Sequence, residues 1–441
     1  MFEKEEKKLE AIGERYQEFP VPDEQLEQAI MKGFQQAKAA SPKKRFIKRS
    51  WLPGIAAALL LLGFLTSIRV SPAFAHYVAE MPGMEKLVDL IRYDKGWISA
   101  VENDYMQPLG ISQEKNGIRL TLDGAIRDER GLVVFYTVES EEKQVLHTNS
   151  IHITGGDGEE LPVSFSGSGD SSYTDEPVKS VNGTADYLFS EDLKGKEFKA
   201  EAEVKTAEGI ETFDIDFTVE GPKVKKKIYP LNETVSIEGQ KIFFKDIAIY
   251  PLRVAIHVSF DPENSMKIFA LDDLRLVDEN GEAWSGIANG VTSQDIKENE
   301  KIIYLQSNYF KEPKELYLVL NKVMAVDKED AEVVINTETK EIVKQPKGDK
   351  LSGLVLEGGS LSFQVRAEKE YNHQLFTTAK DAEGRELDGG SSFYRSGGDG
   401  LYKEFDVSLS EADPANYKNP ISLELSAFPS WIEGEVKIKL E

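Results

Sequence analysis

A chain of 441 residues exceeds what one hydrophobic core can hold, so roughly three or four globular units are the starting expectation. Its charge is lopsided: residues 1–50 carry 11 Lys/Arg against 9 Asp/Glu, whereas residues 70–441 carry 41 against 68, and so acidic a surface repels phosphate backbones and disfavours nucleic-acid binding. The absence of cysteine excludes disulfides, thiolate zinc sites and a thiol nucleophile, without excluding an extracellular location.

Residues 1–50 read as a short cytoplasmic arm. Leu9, Ile12, Tyr16 and Phe19 share one helical stripe, and after Pro20-Val21-Pro22 a second stripe runs through Leu26, Ile30, Phe34 and Ala37 with Met31 beside it. About forty residues bury too little surface to fold firmly alone, so these faces either pair with each other or wait for a partner's groove. The arm has neither His nor Cys, so zinc cannot staple it.

Residues 51–70 read as a transmembrane helix. The charge-free run from Trp51 to Ile68 would span about 27 Å as a helix, close to the roughly 30 Å of a bilayer's hydrocarbon core. Lys43, Lys44, Arg45, Lys48 and Arg49 precede it and only Arg69 follows closely, which places the N-terminus in the cytoplasm and the rest outside. A rival reading is a secretory signal, because Ala73-Phe74-Ala75 has the small-x-small form of a cleavage site. Some fifty residues with their own amphipathic pattern come first, which favours the anchor and makes Ala73 and Ala75 a candidate site of conditional cleavage.

Residues 71–111 follow as a juxtamembrane helical segment, with Met84, Leu87, Val88 and Ile91 on one face. The period then changes to that of strands. "NGIRLTLDGAIRDERGLVVFYTVES" from Asn116 aligns with "EGQKIFFKDIAIYPLRVAIHVSF" from Glu238, and "IHITGGDGEELP" from Ile151 aligns with "LRLVDENGEAW" from Leu274. A weaker third copy contains "LFTTAKDAEGREL", and all three units end in a strand, a linker and a closing strand. The chain is therefore mainly β, with tandem immunoglobulin-like β-sandwiches over 112–221, 222–346 and 347–441.

A catalytic set is not evident. His76, His147, His152, His257 and His373 are scattered without a metal or nucleophile motif. The loops "GGDGEE", "VDENGE" and "KDAEGRE" have calcium-like composition, but each sits between two strands, where glycine supplies a hairpin's positive φ. Trp284 and Trp431 read as core residues. No cofactor is implied.

With "VSPAFAHYVAEMPGMEKLVDLI", "DKGW" and "GIRLTLDGAIRDERGLVVFYTV" in this order, residues 20–140 resemble a Gram-positive family of membrane proteins, domain-of-unknown-function family 4179. The second repeat resembles an immunoglobulin-like domain that often follows in such proteins. The resemblance implies an anti-sigma factor of the extracytoplasmic-function type: Leu26, Ile30, Met31 and Phe34 would dock on a sigma factor, and the outer domains would sense an unknown extracellular ligand. The competing expectation is a surface adhesion or envelope-binding protein, in which the arm is only a topogenic spacer.

Overall fold

The computed structural model describes residues 90–91, 94–170, 176–287, 291–357, 360–367, 371, 373–387, 392–396, 402–408 and 417–441. Leu26, Ile30, Met31 and Phe34, the basic residues from Lys43 to Arg49, the apolar run 51–70, and Ala73 and Ala75 lie outside these described residues. Among the described residues, no helix is long and apolar enough to cross a membrane.

The chain enters as helix α1 (Lys95–Glu102) and then becomes almost entirely antiparallel β. The first lobe holds β1 (Gln107–Lys115), β2 (Ile118–Arg127), β3 (Gly131–Gln144), β4 (His147–Gly155), β5 (Val163–Asp170), β6 (Val178–Phe189), β7 (Glu197–Lys205) and β8 (Ile210–Thr218). They form a sheet of order β1-β2-β3-β6-β5 and a facing sheet β4-β7-β8. Period-two patterning decides which side chains meet: in β7, Phe198, Ala200, Ala202 and Val204 point inward, while the acidic and basic residues between them point out. Strand β1 already begins inside the 71–111 stretch expected to be helical. The described helix stops at Glu102, where Asp104 takes a positive φ of 56° and Tyr105 N–H closes on Ala100 O at 2.9 Å.

The second lobe holds β9 (Lys227–Ile237), β10 (Gln240–Ile249), β11 (Arg253–Phe260), β12 (Met266–Ala270), β13 (Arg275–Asp278), β14 (Ala283–Trp284), β15 (Ser293–Lys297), β16 (Glu300–Gln306) and β17 (Leu316–Asp327). One sheet has the order β15-β16-β11-β10-β9; in the other, β17 carries β12 and β13 along one edge. The third lobe is built from β18 (Glu332–Asn336), β19 (Glu341–Lys344), β20 (Leu351–Glu357), β21 (Ser360–Arg366), β22 (Phe376–Lys380), β23 (Glu386–Leu387), β24 (Ser392–Ser396), β25 (Tyr402–Ser408) and β26 (Ile421–Leu425). Its sheets are β19-β18-β26-β22-β23 and β20-β21-β25-β24.

The last strand, β27 (Trp431–Lys439), does not stay in the third lobe. It pairs antiparallel with β17 and buries Ile432 and Val436, with Leu440 just after it, in the second core. Reciprocally, β18 leaves β17 and pairs with β26, burying Val333 and Ile335 in the third core. In the first lobe the corresponding strand β8 turns straight back onto β7. The second and third lobes have thus exchanged closing strands, and the two crossing segments run side by side, with Ala325 N–H on Ser430 O at 3.0 Å and Leu425 N–H on Ala331 O at 3.1 Å. The boundary expected at 346/347 therefore does not divide the sheets.

Linker chemistry accounts for the difference. Residues 206–209 reverse tightly because Gly209 adopts φ 141° and Thr206 N–H reaches Gly209 O at 2.7 Å. Residues 328–331 and 426–430 contain no glycine, and Pro429 lacks an amide donor. Without a tight reversal, each strand continues into the neighbouring lobe.

Candidate functional site: a joint around the first helix

Helix α1 has only eight residues and cannot stand alone, so its position depends on what it packs against. Asp94 caps it, Oδ1 accepting from the backbone N–H groups of Gly96 and Trp97 at 2.8 and 3.0 Å. Trp97 lies edge-on to Phe135, with ring centroids 5.9 Å apart. The helix covers the outer face of the first lobe's larger sheet, where Ile126, Val133 and Phe135 join Trp97, Ala100 and Val101 in a separate core with Leu252 of the second lobe. This explains the unbroken apolar run of β3. Leu132, Val134 and Tyr136 face the sandwich interior, whereas Val133 and Phe135 face the helix.

The helix also grips the second lobe. Lys95 Nζ donates to Ala283 O at 2.9 Å, and its backbone N–H reaches Gln306 Oε1 at 3.3 Å. A Cβ on residue 96 would meet the Ser307 backbone nitrogen at 2.8 Å and the Ser307 Cβ at 2.9 Å, so only glycine allows this approach. Gly131 faces the second lobe from the first, where a Cβ would stand 2.7 Å from Leu252 Cδ1, the end of a side chain that can shift.

A charged knot lies beside these contacts. Arg253 is 3% exposed and donates through Nη2 to Asp186 Oδ1 at 2.7 Å, while Asp128 Oδ2 accepts from Leu252 N–H at 3.0 Å. Nε and Nη1 of Arg253 are buried without a hydrogen-bond partner among the described residues. Burial opposes the charge on Arg253, but the Asp186 and Asp128 carboxylates hold its pKa above the usual range. Desolvation pushes the Asp94 carboxyl up to about 6, against the pull of its two backbone amides and of Arg253. Burial likewise raises Asp128. At the rim, Lys226 pairs with Glu129 at 3.2 Å.

These groups hold one element against two others and offer no reactive constellation. Among the described residues, no three His, Cys, Asp or Glu side chains are placed to bind a metal. His147 is buried in β4, whereas His152 is half exposed and lies 3.1 Å from Glu160. His257 contacts Glu300 at 2.6 Å, and His373 lies 3.7 Å from Asp272. In the three acidic loops the leading carboxylate serves the turn: Asp157 accepts the Glu159 N–H, Asp278 those of Asn280 and Glu282, and Asp381 those of Glu383 and Arg385, while Gly158, Gly281 and Gly384 take positive φ. Trp284 is 2% exposed in the second core, while the half-buried Trp431 packs against the third, with Lys322 Nζ 3.8 Å from its ring centroid.

The joint unites two stretches of sequence that stand out for other reasons. Asp94-Lys95-Gly96-Trp97 supplies the cap, the reaching lysine, the close approach and the aromatic wedge, and Asp128-Glu129-Arg130-Gly131 supplies the opposing corner. Residues 44–140 match the family model described as a domain of unknown function, DUF4179, and residues 226–348 match that of a family of unknown function, DUF5643. The chain thus carries a DUF4179 domain followed by a DUF5643 domain, and the joint lies where their residues meet. A solved structure described as the crystal structure of the conserved domain protein from Bacillus anthracis aligns at 13% identity over 77% of this chain and 92% of that one, with a TM-score of 0.35. No curated protein matches.

Proposed function

We propose that this DUF4179-containing chain is a single-pass membrane sensor acting as an anti-sigma factor. The arm 1–50 sequesters an extracytoplasmic-function sigma factor through Leu26, Ile30, Met31 and Phe34. The run 51–70 crosses the membrane, with Lys43, Lys44, Arg45, Lys48 and Arg49 at the inner leaflet, and the immunoglobulin-like lobes lie outside. The observation that carries the reading is the clamped helix α1: the segment leading away from the apolar run ends in a joint between two β lobes. In this reading a change in how the lobes meet alters the hold on helix α1, and cleavage at residues 71–76, including Ala73 and Ala75, then releases the arm.

The test is a pull-down with the full chain in detergent, with Phe34→Asp as the control. Recovery of a sigma factor lost in Phe34→Asp supports the reading; no recovery, with promoter output unaltered by Phe34→Asp, overturns it. If the chain is instead an envelope-binding protein, deleting residues 2–40 leaves its phenotype unchanged.

A further inference from the structure

The repeats provide an internal control for their own edges. In the first lobe the seam between edge strands β1 and β8 is stitched shut. Gln113 Oε1 accepts from Asp214 N–H, Lys115 Nζ donates to Thr212 O, and Gln107 bonds both the N–H and the C=O of Glu220. The equivalent seam in the second lobe lies between β9 and the exchanged strand β27. It touches at one end only, where Glu433 N–H meets Glu238 Oε1 at 3.0 Å and Gly434 lies against Ile237. Beyond that point it opens into a groove of about 660 Å³.

The groove has the parts needed to take a strand. Leu231, Val235, Val436 and Ile438 line it on the side of the second core. Leu440 N–H bonds inward to Leu316 O, so strand alternation turns the backbone groups of Lys437 and Lys439 toward the opening. Among the described residues no strand other than β17 pairs with β27. Strand β9 is a poor acceptor, since Pro230 has no N–H and Asn232 sits at φ 54°.

Charge selects the occupant. Lys437 Nζ lies 3.9 Å from the Tyr317 ring centroid and Lys439 Nζ bonds Glu315 at 2.8 Å, so both lysines already have partners. Glu233, Glu435 and Glu441 also line the groove; Glu441 interacts with Lys439, whereas no ion pair holds Glu233 or Glu435 among the described residues. We propose that this groove binds a free, extended cationic peptide by strand addition to β27, with apolar side chains over the core and Lys or Arg toward Glu233 and Glu435. As the ligand class of the outer lobes, the peptide's role rests on the sensor reading above; its binding does not.

The experiment is fluorescence anisotropy on the full chain in zwitterionic detergent, with a labelled alternating lysine–valine octapeptide as probe. Comparison peptides are the alternating glutamate–valine octapeptide and a lysine–valine peptide of equal charge interrupted by two prolines. The expected result is binding at least about tenfold tighter than either comparison, weakened about tenfold by Glu435→Lys and abolished by Lys437→Pro, which removes an outward N–H and no hydrogen bond to β17. Thermal melting checks that both variants stay folded, and Glu435→Lys alone suffices should Lys437→Pro unfold. Equal binding of the proline-interrupted peptide overturns strand addition, and no binding overturns the site. Self-association of the full chain that Lys437→Pro abolishes, without peptide binding, identifies a second copy as the occupant and likewise overturns the proposal. Peptide binding without any change in sigma-dependent promoter output leaves the groove standing and counts against the sensor reading alone.

Discussion

Gly96 and Ser307 approach so closely that a Cβ on residue 96 would stand 2.8 Å from the Ser307 backbone nitrogen. They come from the two family-matched segments and are 211 positions apart in the chain. In an isolated helix, Gly96→Ala is stabilising by about 1 kcal/mol. Here the added methyl must push the helix off Ser307, so the expected result is the opposite sign, a loss of about 1–3 kcal/mol. Urea unfolding, with hydrogen exchange at residues 95–102, provides the check. A stabilised Gly96→Ala protein would show that the helix is not clamped.

The Arg253–Asp186 pair is buried, with the arginine hydrogen-bonded through a single nitrogen to that carboxylate. Removing one partner strands a buried charge, so Asp186→Ala is expected to cost about 3–5 kcal/mol. Replacing both, as Asp186→Leu with Arg253→Met, removes the stranded charge and is expected to cost much less than the two single changes together. A double-mutant cycle by chemical denaturation decides this. Additive losses would mean that the pair is not coupled in the joint.

Asp94 gives the joint a pH dependence of definite sign. Its folded pKa of about 6 lies above the ordinary 3.8. Between about pH 4 and pH 6 the folded protein therefore holds a proton that the unfolded chain has released. Stability falls as pH rises through that window and is level above it, with Asp128 adding a contribution of the same sign and with Arg253 and Asp186 as the facing charges. Asp94→Asn keeps a capping side chain but cannot ionise. The expected outcome is a shallower pH profile and a gain on the order of 1–3 kcal/mol at pH 7. An unchanged slope in thermal melts at pH 4, 5, 6 and 7 would place the titration elsewhere.

Much of this was legible in the residues, and the remainder has a physical reason for being hidden. Alternation in "KEFKAEAEVK" reveals a strand with one buried face, and the continuous apolarity of "GLVVFYTV" reveals two buried faces, although not what covers the second. "DKGW" stands out as a motif, but the need for glycine arises only from Ser307, which sequence distance conceals. The three unit endings look alike because all three closing strands satisfy the same core pattern. Which β17-like strand each one joins depends on whether its linker can reverse, and the signal for that is small: Gly209 in the first unit, and no glycine in residues 328–331 or 426–430.

The strand exchange makes a prediction that crosses over between lobes. Ile432 belongs to the final strand, beyond every strand of the third lobe, yet it lies in the second core. Ile335 follows the second lobe in sequence, yet it lies in the third. Ile432→Ala is therefore expected to cost about 2–5 kcal/mol and to lower hydrogen-exchange protection first in β10 and β11, around Phe244 and Ile256. Ile335→Ala is expected to cost a similar amount and to loosen β21 and β22, around Phe363 and Phe376. If each lobe kept its own closing strand the two patterns would be reversed, so the exchange map of either variant decides between the arrangements. Because each lobe is completed by a strand that continues from the other, loss of either core also removes a paired strand from its neighbour. The two lobes are accordingly expected to unfold in one transition, and separate transitions for β10–β11 and β21–β22 in the unmodified chain would contradict that coupling.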